Sequence, residues 1–204
     1  MKPRLPCGSR RPILSLSKGG RRKRDDPLLR RRTRGLTDET GSSLKGATGT
    51  TWAEISITPT AYLPTSKWDR VSIIGGIARD GRVITNSVVG SVKSAGVVAF
   101  LEYVLNTISG QVIVVFDNAR VHKSKLVTGF VKDQSRLEIV HTPPYAPECN
   151  PVEWLWSWVK RTELIGLPAR SVGDLRAVWK RGLARVRSRA GLVQSFFAGS
   201  ALKG

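Results

Sequence analysis

Residues 112–118, Val-Ile-Val-Val-Phe-Asp-Asn, set five apolar side chains in an unbroken row, four of them β-branched, and then stop at a carboxylate. A run this short and this β-branched reads as a strand covered on both faces, because a helix would need about 10 residues or more. Asp117 therefore closes a buried strand, at the sheet edge where α/β proteins usually bind ligands. A carboxylate held there by a rigid element suits a metal ion. It equally suits a turn or a helix N-cap, and the stretch alone leaves both readings open.

Working outward toward the N-terminus, 95–105 places Val97, Val98, Leu101, Val104 and Leu105 at helical spacing. Before it, the β-rich runs 71–78 and 83–90 flank Asp80-Gly81, which predicts a hairpin with a type I′ turn and positive φ at both central residues. On the other side, a helix over 123–132 precedes a short strand over 137–140 and a Pro-rich loop over 142–147. Helices over 151–163 and 172–187 follow. Hairpin strands and then alternating helices and strands imply an α/β fold, a mixed sheet flanked by helices.

The charge balance points to a polyanionic partner. Thirty-four Lys and Arg against 15 Asp and Glu give +19. Residues 1–34 carry 13 basic side chains against Asp25 and Asp26, a net of +11, so +8 remains on 35–204. The body is basic in its own right, which favours a nucleic-acid surface; nonspecific affinity of a soluble basic protein is the plainer account of charge alone. Residues 1–34 lack apolar periodicity and read as a disordered tail before a folded unit at 35–204.

Cys7 and Cys149 are too few for a disulfide framework or a Cys-rich zinc site, which fits a reducing cytoplasm. No apolar run approaches the roughly 20 residues that cross a bilayer, and 12–16 is too short for a secretory signal, so no membrane partner is expected.

A second carboxylate of interest lies in Asn150-Pro151-Val152-Glu153, which reads as an N-cap, proline at the first helical position and an acid at the third. Glu153 can serve as the acid of a capping box. The same geometry fixes its direction and lets the helix dipole keep it ionised, as a hard cation requires. Val152, Leu155, Trp156 and Val159 form the apolar stripe of this helix, with Glu153, Ser157 and Lys160 beside it. Trp154 and Trp158 lie off the stripe, where they either extend the core or stack on bases.

Asp38-Glu39, in the polar stretch 36–41, reads as the end of a first strand. His122 and His141 belong to no spaced zinc set, and each suits packing or support of a site; His122 also falls within reach of a phosphate. Neither a Walker-type glycine loop nor a Gly-x-Ser-x-Gly elbow is present.

Two motifs, Val-Ile-Val-Val-Phe-Asp117-Asn118-Ala-Arg-Val-His122-Lys and Thr142-Pro-Pro-Tyr-Ala-Pro-Glu-Cys-Asn150-Pro-Val-Glu153-Trp-Leu-Trp, resemble the mariner-like transposases, specifically the bacterial insertion-sequence 630 family. The separation of Asp117 and Glu153, 36 positions, is close to the family's spacing of its second and third catalytic acids. Asp38-Glu39, followed by Thr51-Trp52-Ala53 and the hairpin, looks like its first acid motif. The resemblance covers roughly residues 36–190.

It implies a ribonuclease H-like fold, with Asp38 on the first strand, Asp117 ending the fourth and Glu153 on a later helix. Those three would be catalytic and would hold two Mg²⁺ or Mn²⁺ ions about 3.5–4 Å apart, Asp38 and Asp117 sharing one and Glu153 serving the other. The implied reaction cuts double-stranded DNA at the element's ends and joins the freed 3′ hydroxyl to a target, usually at TA. A homodimer in a bacterial cytoplasm, beside the nucleoid, is the implied setting. Arg120, His122, Lys123, Lys160 and Arg161 are then the expected phosphate contacts, with Asn118, Asn150 and Pro151 supporting the site.

Family members usually carry an N-terminal helix-turn-helix region, for which residues 1–34 show no pattern. The expectation is a catalytic core without that region. The competing readings are an inactive DNA-binding remnant and another ribonuclease H-like nuclease.

Overall fold

The computed structural model describes residues 32–45, 53–57, 69–143, 150–167 and 169–200. Thr51, Trp52, residues 144–149 of the second motif and the tail up to residue 31 lie outside them.

β1 (Arg32–Ser43), β2 (Arg70–Ala78), β3 (Val83–Val89), β4 (Gln111–Phe116) and β5 (Leu137–His141) form one sheet in the order β3-β2-β1-β4-β5. β1 is its centre. It runs antiparallel to β2 from Gly35↔Ala78 to Ser43↔Arg70 and parallel to β4 from Arg32↔Gln111 to Leu36↔Val115. β3 is antiparallel to β2, and β5 parallel to β4. The mixed α/β sheet expected from the element pattern is therefore present, in the strand order of a ribonuclease H-like fold.

β1 corrects the sequence-based boundary, since Arg32, Thr33 and Arg34 already belong to it. The polar composition does not prevent a strand here: pairing on both sides satisfies the backbone, and tertiary context outweighs β-propensity. The hairpin turn differs too. Gly81 donates its N–H to Ala78 O, and Gly81 alone adopts positive φ (89°), while Asp80 does not. The loop is four residues long, so the I′ rule for two-residue loops gives way to a turn closed by a left-handed glycine.

Helices cover both faces. α1 (Ser94–Thr107) and α2 (Lys125–Lys132) pack on one, where Phe100, Leu101, Val114, Phe116 and Val127 form a core. α3 (Pro151–Val159), α4 (Val172–Arg187) and α5 (Ala190–Gly199) cover the other, around Leu36, Ile73, Leu155, Trp156 and Trp179. Complete burial of a side chain such as Leu155 contributes about 1.5–3 kcal/mol. Among the described residues no helix is long and apolar enough to cross a membrane.

α3 follows its sequence pattern, burying Val152, Leu155, Trp156 and Val159. Past Val159 it widens into a π-helical turn, Lys160–Leu164, instead of continuing as α-helix. The turn swings Glu163 inward against α4, where Arg181 Nε and Arg185 Nη1 pair with it at 2.9 and 2.7 Å.

Candidate active site

The site is set by register. Leu36 on β1 pairs with Val115 on β4, and two residues further along both parallel strands stand Asp38 and Asp117. Side chains alternate along a strand, so both acids leave from the face that carries α3. Across β2, Asp38 pairs with Gly75. A Cβ on Gly75 would come within 2.9 Å of Trp156 and 2.7 Å of Thr85, so only glycine lets α3 lie this close to the strand.

The first turn of α3 brings in Glu153. Asn150 caps it by accepting from Val152 N at 3.2 Å, and Pro151 occupies the first helical positions. The expected capping box is not made: the Asn150 side chain accepts from Val152 N and not from Glu153 N, and the Glu153 side chain interacts with Asp38.

Asp38 is the most perturbed group. Burial, then the charge of Glu153, a hydrogen bond with Glu153 and the charge of Glu39 push its carboxyl up to about 8, against the opposing Glu39 N–H. Glu39 N donates to Oδ1 at 2.8 Å, while Oδ2 is buried and reached by no N–H or hydroxyl donor. A carboxylate oxygen in that position, beside a second carboxylate, has the chemistry of a hard-cation ligand.

Of the two roles its sequence left open, Asp117 shows the turn contact. Its Oδ1 accepts from Ala119 N at 2.9 Å, a turn contact, and lies 2.8 Å from His122 Nδ1, off the ring N–H direction. The side chain remains half exposed. Asp117's backbone is pinned by His141, whose Nδ1 donates to Asp117 O at 2.8 Å, and Thr142 N donates to Phe116 O at 2.8 Å. Asn118 Nδ2 donates to Thr142 O, and Lys123 Nζ donates to Asn118 Oδ1.

Asp38 and Glu153 are therefore in contact, while Asp117 is beside them in the sheet but engaged by Ala119 and His122. Among the described residues no three Asp, Glu, His or Cys side chains are gathered tightly enough to hold an ion as they stand.

His122 departs from its expected role as a phosphate contact. Its side chain is 0% exposed, stacked on Phe116 at 4.1 Å, with Nε2 2.7 Å from Glu39 Oε1. A ring sealed in the interior has no surface for DNA. Burial works against its protonation, but the hydrogen bond and charge of Glu39 and the charge of Asp117 outweigh it, so its pKa is raised. Glu39 was not singled out from sequence as a support, yet alternation along β1 already sends it to the face opposite Asp38.

Arg120, Lys123 and Arg161 are exposed and Lys160 partly so. Lys160 follows Glu153 by two helical turns, on the same side of α3. Trp158 packs against the core beneath Arg189, whose guanidinium carbon is 5.6 Å from a ring centroid. Trp154, about half exposed, leans on Gly199 of α5. Both tryptophans thus take packing roles.

A central β1 flanked antiparallel on one side and parallel on the other, with acids delivered from β1, the end of β4 and the first turn of the following helix, defines a ribonuclease H-like nuclease core. The model of the DDE superfamily endonucleases matches residues 36–176, and the chain belongs to that family.

Solved structures agree on the fold. A Mos1 mariner paired-end complex with Mn superposes with a TM-score of 0.56 at 16% identity, covering 88% of this chain and 59% of that one. A Mos1 transposase paired-end complex with left transposon end gives 0.55 at 14% identity, covering 90% and 67%. The chain thus spans little more than half of the first of these. No curated protein sequence matches it.

Proposed function

We propose that this chain is the catalytic domain of a mariner-like DNA transposase of the insertion-sequence 630 type, cutting phosphodiester bonds with Asp38, Asp117 and Glu153. The observation that carries this reading is Asp38 Oδ2, a buried carboxylate oxygen that no N–H or hydroxyl reaches, on a carboxyl set against Glu153, with Asp38 and Asp117 each two residues beyond the Leu36–Val115 pair. An arrangement that raises the pKa of its own acid is costly in a purely structural protein and is resolved by a divalent cation.

Asp38 and Asp117 would hold one Mg²⁺ or Mn²⁺ and Glu153 a second. Such ions neutralise charge on the attacking and leaving oxygens of an in-line displacement. The protein's own part is positional. β1 and β4 fix the backbones of the two aspartates, Asn150 and Pro151 orient Glu153, and Asn118 ties the Asp117 loop to Thr142. Arg120, Lys123, Lys160 and Arg161, exposed or partly so and close in sequence to Asp117 and Glu153, would contact backbone phosphates. The solved neighbours include complexes with Mn, with Mg and with a transposon end. This agrees with double-stranded transposon ends as substrate, with TA targets, a homodimer and a bacterial cytoplasmic setting as finer parts of the proposal.

Nicking of supercoiled plasmid tests it. Wild type should nick only with Mg²⁺ or Mn²⁺, and Asp117→Asn, which keeps the shape but removes the charge, should not. Equal activity of the two proteins, or none in either, would favour an inactive remnant.

A further inference from the structure

At the sheet edge far from β5, β3 has a neighbour on one side only among the described residues, and α4 and α1 flank its other side. Between them runs a groove of about 520 Å³ lined by Thr85, Asn86 and Ser87 of β3 and by Arg176, Lys180 and Arg187 of α4. Among the described residues no acidic side chain lines it. The three basic residues recur along one side of α4 over ~16 Å of helix.

Two of them are held in place by neutral partners. Arg176 donates from Nε and Nη2 to Ser87 Oγ at 3.3 and 3.2 Å. Arg187 donates from Nε to Val83 O at 3.1 Å and from Nη2 to Thr85 Oγ1 at 2.9 Å. Among the described residues neither these two nor Lys180 forms an ion pair, whereas Arg181 and Arg185, on the adjoining side of the same helix, pair with buried Glu163. The helix therefore separates its cations into a neutralised set and an uncompensated set, and only the second lines the groove.

We propose that this groove binds the phosphate backbone of DNA away from the scissile bond, an inference that rests on the nuclease reading above. Guanidinium groups preset by hydroxyl and carbonyl contacts lose little freedom on meeting a phosphate, and hydroxyl and amide side chains line the opposite wall. An extended peptide is the less suitable occupant, because Arg187 already takes the Val83 carbonyl that strand addition to this edge would use. Placement relative to the acids is fixed by the sheet. Asp38 pairs with Gly75, and Gly75 with Thr85, so the groove lies two strands, ~10 Å, from Asp38 in the same row. Trp156 over Gly75 walls the two apart.

The test is equilibrium binding of a labelled DNA duplex to the full chain in EDTA, read as anisotropy across a NaCl series. Arg176→Gln/Lys180→Gln should flatten the slope of log affinity against log salt by about 2, roughly 0.9 per lost phosphate contact. Lys93→Gln/Lys132→Gln, which removes equal charge from exposed positions elsewhere, should leave it near wild type. Unchanged slope in the groove variant, an equal drop in both variants, or binding of a poly-glutamate peptide without any change in the DNA slope would each overturn the proposal. Thermal melting confirms that both variants fold. Because the assay excludes divalent ions, its failure is separate from failure of the nicking test.

Discussion

Glu39 Oε1 and His122 Nε2 meet at 2.7 Å across 83 positions of sequence, on the face of β1 opposite Asp38. Two adjacent residues of one strand thus serve the site from its two sides. Asp38 enters it, and Glu39 fastens the ring that stands 2.8 Å from Asp117. An imidazole whose own ring is sealed from solvent thus stands between two carboxylates, one on β1 and one at the end of β4.

Removing that link should be costly. His122→Ala deletes the Phe116 stacking and leaves Glu39 beside a void, so a loss of about 2–4 kcal/mol is expected, measured by urea unfolding of the metal-free protein. Metal-dependent nicking should fall as well, because Asp117 loses the group beside its carboxylate. Unchanged stability would mean that the ring is not held as described.

The raised pKa of Asp38 gives a pH dependence whose sign can be worked out. Burial and the neighbouring carboxylates push the folded carboxyl from its ordinary 3.8 up to about 8, so between these values the folded state holds a proton that the unfolded chain has released. Stability of the metal-free protein therefore falls as pH rises through this window and levels above about 8. His122, with its pKa also raised, contributes stability that is full at low pH and is lost as pH rises through its folded value. Asp38→Asn separates the two. The variant should melt higher than wild type at pH 8.5 in EDTA and show a shallower decline with pH, the remainder being His122.

In the proposed site a cation would have to displace the Asp38 proton, so apparent affinity for Mn²⁺ should rise about tenfold per pH unit below pH 8 and then flatten. Thermal-shift titrations with Mn²⁺ at pH 6, 7, 8 and 9 measure this. Flat affinity across the series would show that Asp38 is not a ligand.

How much of this was legible beforehand differs by element. β4 stood out because its apolar residues are consecutive, and α3 because cap, proline and apolar stripe agree. β1 did not, since Arg32-Thr-Arg-Gly owes its extended form to β2 and β4, which no local pattern encodes; Asp38 was reached through a family resemblance, not through its own surroundings. The inward turn of His122 was hidden for a similar reason. Its partner Glu39 is remote in sequence, and residues 119–124 form turns without a period that would separate inside from outside. α5 went unpredicted because its ten residues carry no side-chain cap at the start, and the π-helical turn because helical periodicity does not register one extra residue.

That π-helical turn supplies a stability test remote from the chemistry. Glu163 is 2% exposed at its side chain, whereas Arg181 and Arg185 are 54% and 55% exposed. Glu163→Ala would leave two cations able to turn into solvent, so the loss should be about 3 kcal/mol, the low end for breaking a buried ion pair. Glu163→Gln should lose less, because an amide oxygen can still accept from one guanidinium. Urea unfolding gives both values, and equal losses would indicate that packing around Gly182, rather than charge, is what Glu163 provides.

Gly75 offers the sharpest link between fold and site. The β-carbon of Gly75→Ala would fall 2.7 Å from Thr85 Cγ2, 2.9 Å from Trp156 and 3.1 Å from Ile84 O. The first two neighbours are side chains, but Trp156 is fully buried against Trp179 and cannot swing away. Relief must come from lifting α3 off β2, at an expected cost of about 1–3 kcal/mol. Since Glu153 rides on the first turn of α3, the same displacement withdraws it from Asp38, and the pH dependence of Mn²⁺ binding should weaken along with stability. Gly96→Ala, in α1 with its nearest neighbour at 3.6 Å, is the control: it should keep both the stability and the pH dependence. If Gly75→Ala loses stability but binds Mn²⁺ with the wild-type pH profile, the helix has not moved and the strain has been absorbed by Thr85 instead.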